Sequence, residues 1–462
     1  MLDLSSLISF FVLGTIVWVI YKIYIWPIYI TPLRKIPGPS SENPFYGNLR
    51  TFLLEENPDL KWIQKYGNIV KYHGLFNQPT LVIADTKLIQ EITLNHVYDY
   101  ITPPKMLADG IAIAGRGLVF AEGEDHKRQR KMMNPAFTHN NVKVIYTLLF
   151  VGFNYEFNSL TSPNELAKAY DSVTNVPQPA LRFAISLLSN YVPYIRNIPI
   201  DMNRKFKSAC EVIDRVSKKL IKEKYNKAEK GELKGKDLLS LLININKTLP
   251  IEEKMTDEEL KYQIMTFLVA GHETTSISTC WTLYFLAHHT HEQDLLREEL
   301  VKAFPDKSNF NPTFDEINSL EYLSCLVKET LRLNSPVSLT TRTNIKDKVF
   351  GDYDTVIMVA ISALHKLPEI WGPTAAEFDP KRWLDPSLTK NVSNLNYLPF
   401  LTGTRACIGN KVALTEFKVL LSMLIRNFVF QQIEGFQFKK RTLTVNKPHP
   451  YLGLLAVSKV EG

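Results

Sequence analysis

From Leu4 to Tyr21 the chain carries no charged residue, and apolar and aromatic side chains continue past a single Lys22 to Ile30. A bilayer takes about 20 helical residues to cross, so the run predicts one transmembrane anchor over 1–30. The start Met1-Leu2-Asp3 lacks the basic residues of a cleaved signal peptide, and no Ala-x-Ala pattern follows, so the helix is expected to be retained. Lys22, Arg34 and Lys35 lie on the carboxyl side of the uncharged run Leu4–Tyr21 and Asp3 before it, which places the bulk of the chain in the cytosol by the positive-inside rule. Pro27, Pro32 and Ile36-Pro37-Gly38-Pro39 are expected to stop the helix and stiffen a hinge over 31–40. A buried core helix is the alternative reading of the same run.

Beyond the hinge helical periodicity dominates, with short strand-like runs at Ile69–Tyr72, Thr80–Ile83 and Val356–Ile361, so the fold class is mainly α with small β sheets. The clearest helix starts at Thr256, which forms a capping box with Glu259, and it extends toward His288. In its middle, Ala270-Gly271-His272-Glu273-Thr274-Thr275 lowers helix propensity between apolar flanks. Gly271 would let a group approach the backbone, and a carboxylate beside a hydroxyl could pass protons into an apolar pocket. Threonine back-bonding in a packed helix is the plainer alternative.

Composition narrows this only a little. At 462 residues the chain exceeds the usual single core of roughly 250–300, yet no linker-like tract divides it after the hinge, so one large domain is expected over 41–462. Net charge is +7, with cations scattered among acids, which argues against nucleic acid. The densest basic stretch, Lys222 to Lys236, reads as a solvated loop between helices, with a membrane-surface patch as the alternative. Cys210, Cys280, Cys325 and Cys407 are too far apart for CxxC pairs. The first three sit in helical sequence, where a small buried hydrophobe is expected. Two sequons, Asn246-Lys247-Thr248 and Asn391-Val392-Ser393, test the topology, since sugar on either would contradict it.

Cys407 differs from the others. Phe400-Leu401-Thr402-Gly403-Thr404-Arg405-Ala406-Cys407-Ile408-Gly409 sets it between glycines, near Arg405 and before an apolar helical run. Free N–H groups, a helix amino terminus and a guanidinium would all lower a thiol's pKa. These residues spell Phe-x-x-Gly-x-Arg-x-Cys-x-Gly at every fixed position, the haem-binding loop of the cytochrome P450 family, which the chain resembles. Glu329-Thr330-Leu331-Arg332 matches the family's Glu-x-x-Arg motif, and Phe378-Asp379-Pro380-Lys381-Arg382-Trp383 matches the segment that supplies a second arginine.

The resemblance implies a cytochrome P450 fold behind a single N-terminal transmembrane helix, and a monooxygenase that binds haem b with Cys407 thiolate as axial ligand and uses O2. It assigns Glu273 and Thr274 to protonation of dioxygen and leaves Ala270 and Gly271 to make room for it. Phe400, Gly403 and Gly409 build the loop, and Glu329, Arg332 and Arg382 form a buried ionic cluster. Arg130, Arg342, Arg405 and, less firmly, His126 are implied partners of the haem propionates. Electrons would come from an NADPH–cytochrome P450 reductase, with cytochrome b5 as a second donor. The docking face would be near Cys407, where Lys127, Arg128, Lys131 and Lys411 supply positive charge. A lipophilic substrate and an endoplasmic reticulum membrane location are implied as well.

Two shortenings depart from the family pattern: Thr138–Gly152, where members usually have several tens of residues more including a helix, and Asp352–Thr355. A catalytically impaired membrane-bound paralogue is therefore a second reading. A cysteine protease is a remote third, from Ala406-Cys407-Ile408-Gly409 with His365 upstream. The cluster His288-His289-Thr290-His291-Glu292 reads as a solvated turn in preference to a metal site.

Overall fold

A computed structural model of the protein describes residues 4–143, 165–174, 185, 188–189, 192–230, 238–306, 310–345, 355–442, 445–449 and 452–459. Helix α1 (Leu4–Ile20) buries no side chain and passes directly into a π-helical segment, Tyr21–Ile30. Together they make 27 residues, whose most apolar 18-residue stretch has a mean hydropathy of 2.1, long and apolar enough to cross a bilayer. The helix thus does not stop at Pro27, as the sequence suggested. Pro27 lacks the N–H that an α-helix would direct at the Ile23 carbonyl, the segment widens to π turns, and the side-chain amide of Asn77 donates to that carbonyl at 3.0 Å. Asn77 is fully buried, with φ +60°, in the turn between strands β1 (Ile69–His73) and β2 (Pro79–Ile83). The helix ends at Thr31, whose hydroxyl accepts from the Leu33 N–H ahead of a short turn opened by Pro32.

The remaining principal elements are α2 (Pro58–Tyr66), β3 (Tyr100–Ile101), α3 (Gly123–Met133), α4 (Asp201–Glu229), α5 (Leu238–Thr248), α6 (Asp257–His288), α7 (Thr290–Ala303), α8 (Glu321–Leu333), β4 (Thr340–Asn344), β5 (Val356–Val359), α9 (Asn410–Asn427), β6 (Phe428–Gln432), β7 (Lys439–Thr442), β8 (Asn446–His449) and β9 (Leu454–Lys459). Helices dominate and the sheets are small, as expected. The third expected strand is shorter than its apolar run, because Ile361 already opens a short helix.

The chain forms two compact units. The first comprises Met1–Pro103, Leu331–Ala406 and Lys439–Pro448. Its five-stranded sheet has the order β1-β2-β5-β4-β3, with β2 and β5 parallel and the other pairs antiparallel. Every residue of β2 is buried, and Val70, Leu81, Val82, Ile83 and Val359 pack with Trp62 and Ile63 of α2 into one apolar core.

The second unit comprises Pro104–Thr330, Cys407–Phe438 and His449–Gly462. Its axis is α6, which opens on the expected capping box: the Thr256 hydroxyl accepts from the Glu259 N–H, and the Glu259 carboxylate accepts from the Thr256 N–H. Helices α4 and α9 pack along it, and Lys261, almost wholly buried, reaches Asp214 of α4 at 2.7 Å. Leu260 and Ile264 join Met132, Met133, Leu242 and Ile243 in one core, and Met265 joins Ala209, Ile213 and Val216 in another. Lys222 to Glu229 form the last turns of α4, not a loop, because α4 carries its apolar stripe through Val216 and Ile221 to Tyr225; residues 231–237 lie outside the described residues. Cys325 is buried and Cys210 half-buried, but Cys280 is exposed on α6, against expectation. Positions 144–152 and 352–354 of the two shortened segments also lie outside the described residues.

Candidate functional site

The loop from Phe400 to Gly409 is built by tight turns. Leu401 (φ +56°) and Gly403 (φ +72°) both take left-handed backbone. Only glycine is tolerated at 403, because a Cβ there would lie 2.1 Å from the Thr93 carbonyl oxygen. Phe400 is half-buried ahead of the turn. Cys407 is exposed and stands three residues before the amino terminus of α9. Surrounding protein nonetheless raises its thiol above the usual range; the Gly409 N–H and the Arg130 charge oppose that rise without cancelling it. The expectation of a depressed thiol therefore fails for the protein alone. The cation felt by the sulfur is Arg130 of α3, whose Nε also donates to Asn134 at 3.1 Å. His126, one turn earlier on α3, is buried.

In mid-α6, Ala270 and Gly271 are exposed, and a Cβ on Gly271 would meet nothing within 4 Å. Glu273 and Thr274 are half-buried and Thr275 buried. The Thr274 hydroxyl donates to the Ala270 carbonyl at 2.6 Å, and Ser278, Thr279 and Thr282 repeat the pattern at 2.8, 3.0 and 2.9 Å. The structure thus shows the back-bonding named as the plainer alternative. Sequence reasoning passed over Glu416 of α9, whose carboxyl burial pushes up against the pull of the Thr275 hydroxyl.

In the first unit, Arg342 and Arg405 line one small cleft with Thr93, Thr340, Val359 and Leu401. Arg342 donates to the Thr340 hydroxyl at 2.7 Å and the Thr341 carbonyl at 2.8 Å, and Arg405 lies over the Tyr98 ring. Two guanidiniums in one cleft of the first unit are suited to carboxylates of a bound group, and in the second unit an open thiol is suited to iron; each, taken by itself, has the chemistry that its part of a haem requires.

Glu329 and Arg332, one turn apart on α8, are fully buried, as is Arg382. Arg332 donates to the carbonyls of His365, Ala375 and Glu377 at 2.8, 2.5 and 2.9 Å and stacks over Trp371. Arg382 donates to the carbonyls of Trp371 and Thr374 at 2.7 and 2.8 Å. Both cations therefore gather the carbonyls of one segment, residues 365–377. His365 completes the tie: its Nδ1 lies 3.2 Å from the Arg332 carbonyl, and its Nε2 accepts from the Leu398 N–H at 2.8 Å. Burial and the Arg332 charge pull it down to about 3, so it stays neutral. With both ring nitrogens engaged by backbone, His365 has no capacity to serve as a protease base. Its structural role was illegible, because its partners lie 33 residues away on either side.

The basic face expected for docking is largely self-neutralised. Lys127 pairs with Glu124 at 2.5 Å, Arg128 with Glu259 and Asp125, and Lys131 with Glu253 at 2.6 Å. His288 and His289 sit exposed at the end of α6, each with Nδ1 2.8 Å from a carbonyl of its own helix, those of Tyr284 and Phe285. Asn246 is buried, donating to and accepting from the Met255 backbone at 2.9 and 2.7 Å, whereas Asn391 is exposed.

Comparison with known proteins returns the family described as Cytochrome P450, whose model matches residues 37–151 and 143–454. Cytochrome P450 monooxygenase 205 of Postia placenta is 34% identical, covering 90% of this chain and 90% of the relative. Cytochrome P450 monooxygenase 128 of the same fungus is 32% identical over 90% and 89%. Cytochrome P450 monooxygenase claQ of Ampulloclitocybe clavipes is 28% identical over 94% and 91%. The first alignment runs over 495 positions, more than the 462 residues of this chain, and the family match breaks in two around 143–151, within the shortened segment.

Proposed function

The chain belongs to the cytochrome P450 family and is a haem-dependent monooxygenase, and from that premise we propose how its own residues divide the work. Haem held by a cysteine thiolate supplies dioxygen activation, one oxygen entering a C–H bond or alkene of the substrate and the other leaving as water. The observation that carries the assignment is the full ten-residue loop around an open Cys407, with two guanidiniums in one cleft of the first unit.

Cys407 ligates iron. The Gly409 N–H and the Arg130 charge beside its sulfur would support the thiolate that holds the iron. Arg342 and Arg405 would hold propionate charge, and the family resemblance adds Arg130 and His126 of α3 as further partners. Ala270 and Gly271 would leave the mid-α6 backbone uncovered, the Thr274 hydroxyl would serve as a proton donor to the substrate-side oxygen, and Glu273 would resupply it from solvent. Phe400, Gly403 and Gly409 shape the loop, and Glu329, Arg332 and Arg382 brace it.

Residues 1–30 anchor the enzyme in a membrane, 31–40 form the hinge, and 41–462 carry catalysis on the cytosolic side of the endoplasmic reticulum. The apolar helix Leu4–Ile30 and the cations after it support this. A lipophilic substrate entering from the bilayer, electrons from an NADPH-dependent reductase and a contribution from cytochrome b5 complete the reading. The break in the family match favours a second reading, a paralogue that binds haem poorly. One spectrum separates them. Reduced protein under carbon monoxide is expected to show the red-shifted thiolate band, lost in Cys407→Ala; a wild-type chain without that band overturns the catalytic reading.

A further inference from the structure

Two fully buried glutamines, Gln129 of α3 and Gln263 of α6, close a circuit of hydrogen bonds on a single turn of the second unit. The Gln263 Oε1 accepts from the Leu118 N–H at 2.9 Å, and its Nε2 donates to Gln129 Oε1 at 2.8 Å. Gln129 Nε2 then donates to the Arg116 carbonyl at 3.2 Å. The circuit thus starts and ends on one stretch of backbone, with all four amide heteroatoms bonded. Burying two amides is costly unless their polar atoms are paired. The sense of each link is also fixed, because turning either amide over would set donor against donor.

The turn lies hard against α6. A Cβ on Gly117 would stand 2.3 Å from the Thr266 hydroxyl oxygen and 2.7 Å from the Tyr262 carbonyl oxygen, and one on Gly115, φ +63°, would strike the Tyr262 ring. Beyond it the chain folds back, the Gly117 carbonyl accepting from the Phe120 and Ala121 N–H groups at 2.9 and 2.8 Å. Before it runs the helix Pro104–Ala114, which closes with the Gly115 N–H on the Ile111 carbonyl at 2.8 Å. The end of that helix is held in the core: Ile113 and Ala114 join Met265 and Leu268 of α6 in one apolar cluster. Leu268 lies two residues before the exposed backbone at Ala270 and Gly271. Toward the start of the same helix Met106 is half exposed.

We propose that Gln129 and Gln263 are positioning residues that set how the helix Pro104–Ala114 stands against the open stretch of α6, and so decide what bulk of ligand the site accepts; this rests on the haem reading of Cys407 and α6. Gln263 gives the tie its footing on the helix that carries Ala270 to Thr274. Gln129 stands on α3 beside Arg130 and one turn after His126, so a single circuit fixes both the turn and α3 to α6. Apolar packing alone would hold the turn by area and tolerate sliding, whereas a directional circuit admits one register. A ligand too small to reach the Ile113 wall is indifferent to the tie, and a bulky one is sensitive to it.

The test loads the full chain with haem in detergent micelles and titrates two nitrogen donors of different bulk, imidazole and 4-phenylimidazole, by the shift of the Soret band. Gln129→Met is expected to weaken 4-phenylimidazole about tenfold and imidazole by less than about twofold, with faster hydrogen exchange across residues 115–121. Gln263→Met should do the same, and the double variant should add little, because one broken link opens the whole circuit. A merely structural role would weaken both ligands alike. Equal changes for the two ligands, or none, beside a normal Soret band overturn the inference alone; a wild-type chain without the thiolate band overturns the haem reading and the inference with it. Should neither variant fold, the wild type decides: 4-phenylimidazole but not imidazole should slow exchange over residues 104–114, and equal slowing, or none, overturns the inference.

Discussion

At the scale of single residues, the strongest constraint is a pair of fully buried guanidiniums, each spent on main-chain carbonyls. Arg332 fixes three carbonyls with one planar fork, a geometry that an ammonium cannot copy. Arg332→Lys should therefore destabilise the protein by about 3 kcal/mol, seen as a lower urea midpoint together with reduced haem retention. Thr274 carries the opposite expectation. Among the described residues its hydroxyl bonds to its own helix, so Thr274→Val should leave stability within about 0.5 kcal/mol while product per electron pair consumed falls roughly a hundredfold. A stability loss as large as that of Arg332→Lys would make its role structural. Legibility differed along the same line. Cys407, Arg342 and Arg405 stood out because their chemistry is encoded in nearby sequence, whereas Glu416 and His365 take their character from burial and distant backbone.

At the scale of elements, local signals read well and remote ones did not. The Thr256–Glu259 box located the start of α6 because both partners sit within one turn. The passage of the helix through Pro27 was illegible, since its compensating donor, Asn77, is 54 residues away. Likewise, nothing local told that Lys222 to Glu229 would continue α4. His365 links the end of α8 to the segment leading into the cysteine loop, and it makes that link acid-sensitive. Its folded value, about 3, lies below the ordinary 6.5, so between those values the unfolded chain binds the extra proton. Stability is then intact above pH 6.5 and falls as pH drops, by up to about 1.4 kcal/mol per unit. His365→Gln should flatten that slope by close to one proton between pH 6 and 4, measured by chemical unfolding at each pH. An unchanged slope would assign the acid sensitivity elsewhere.

At the scale of the whole molecule, the family match spans nearly the full chain but splits at 143–151. The site motifs were therefore readable while the shortened scaffold was readable only as a departure. Removing residues 1–30 should release the protein from lipid vesicles, as judged by flotation; continued binding would shift the anchoring to another surface. The Asn77 amide would give such an anchor a particular mechanical character. A tether joined by free single bonds would let the folded unit swivel. Here the helix is caught at Ile23 by a buried side chain of the β1–β2 turn, so it acts as a lever with a fixed fulcrum. With that helix in a bilayer, any tilt imposed on the rod by bilayer thickness should be transmitted as torque to the sheet, and Asn77→Ala should restore the slack.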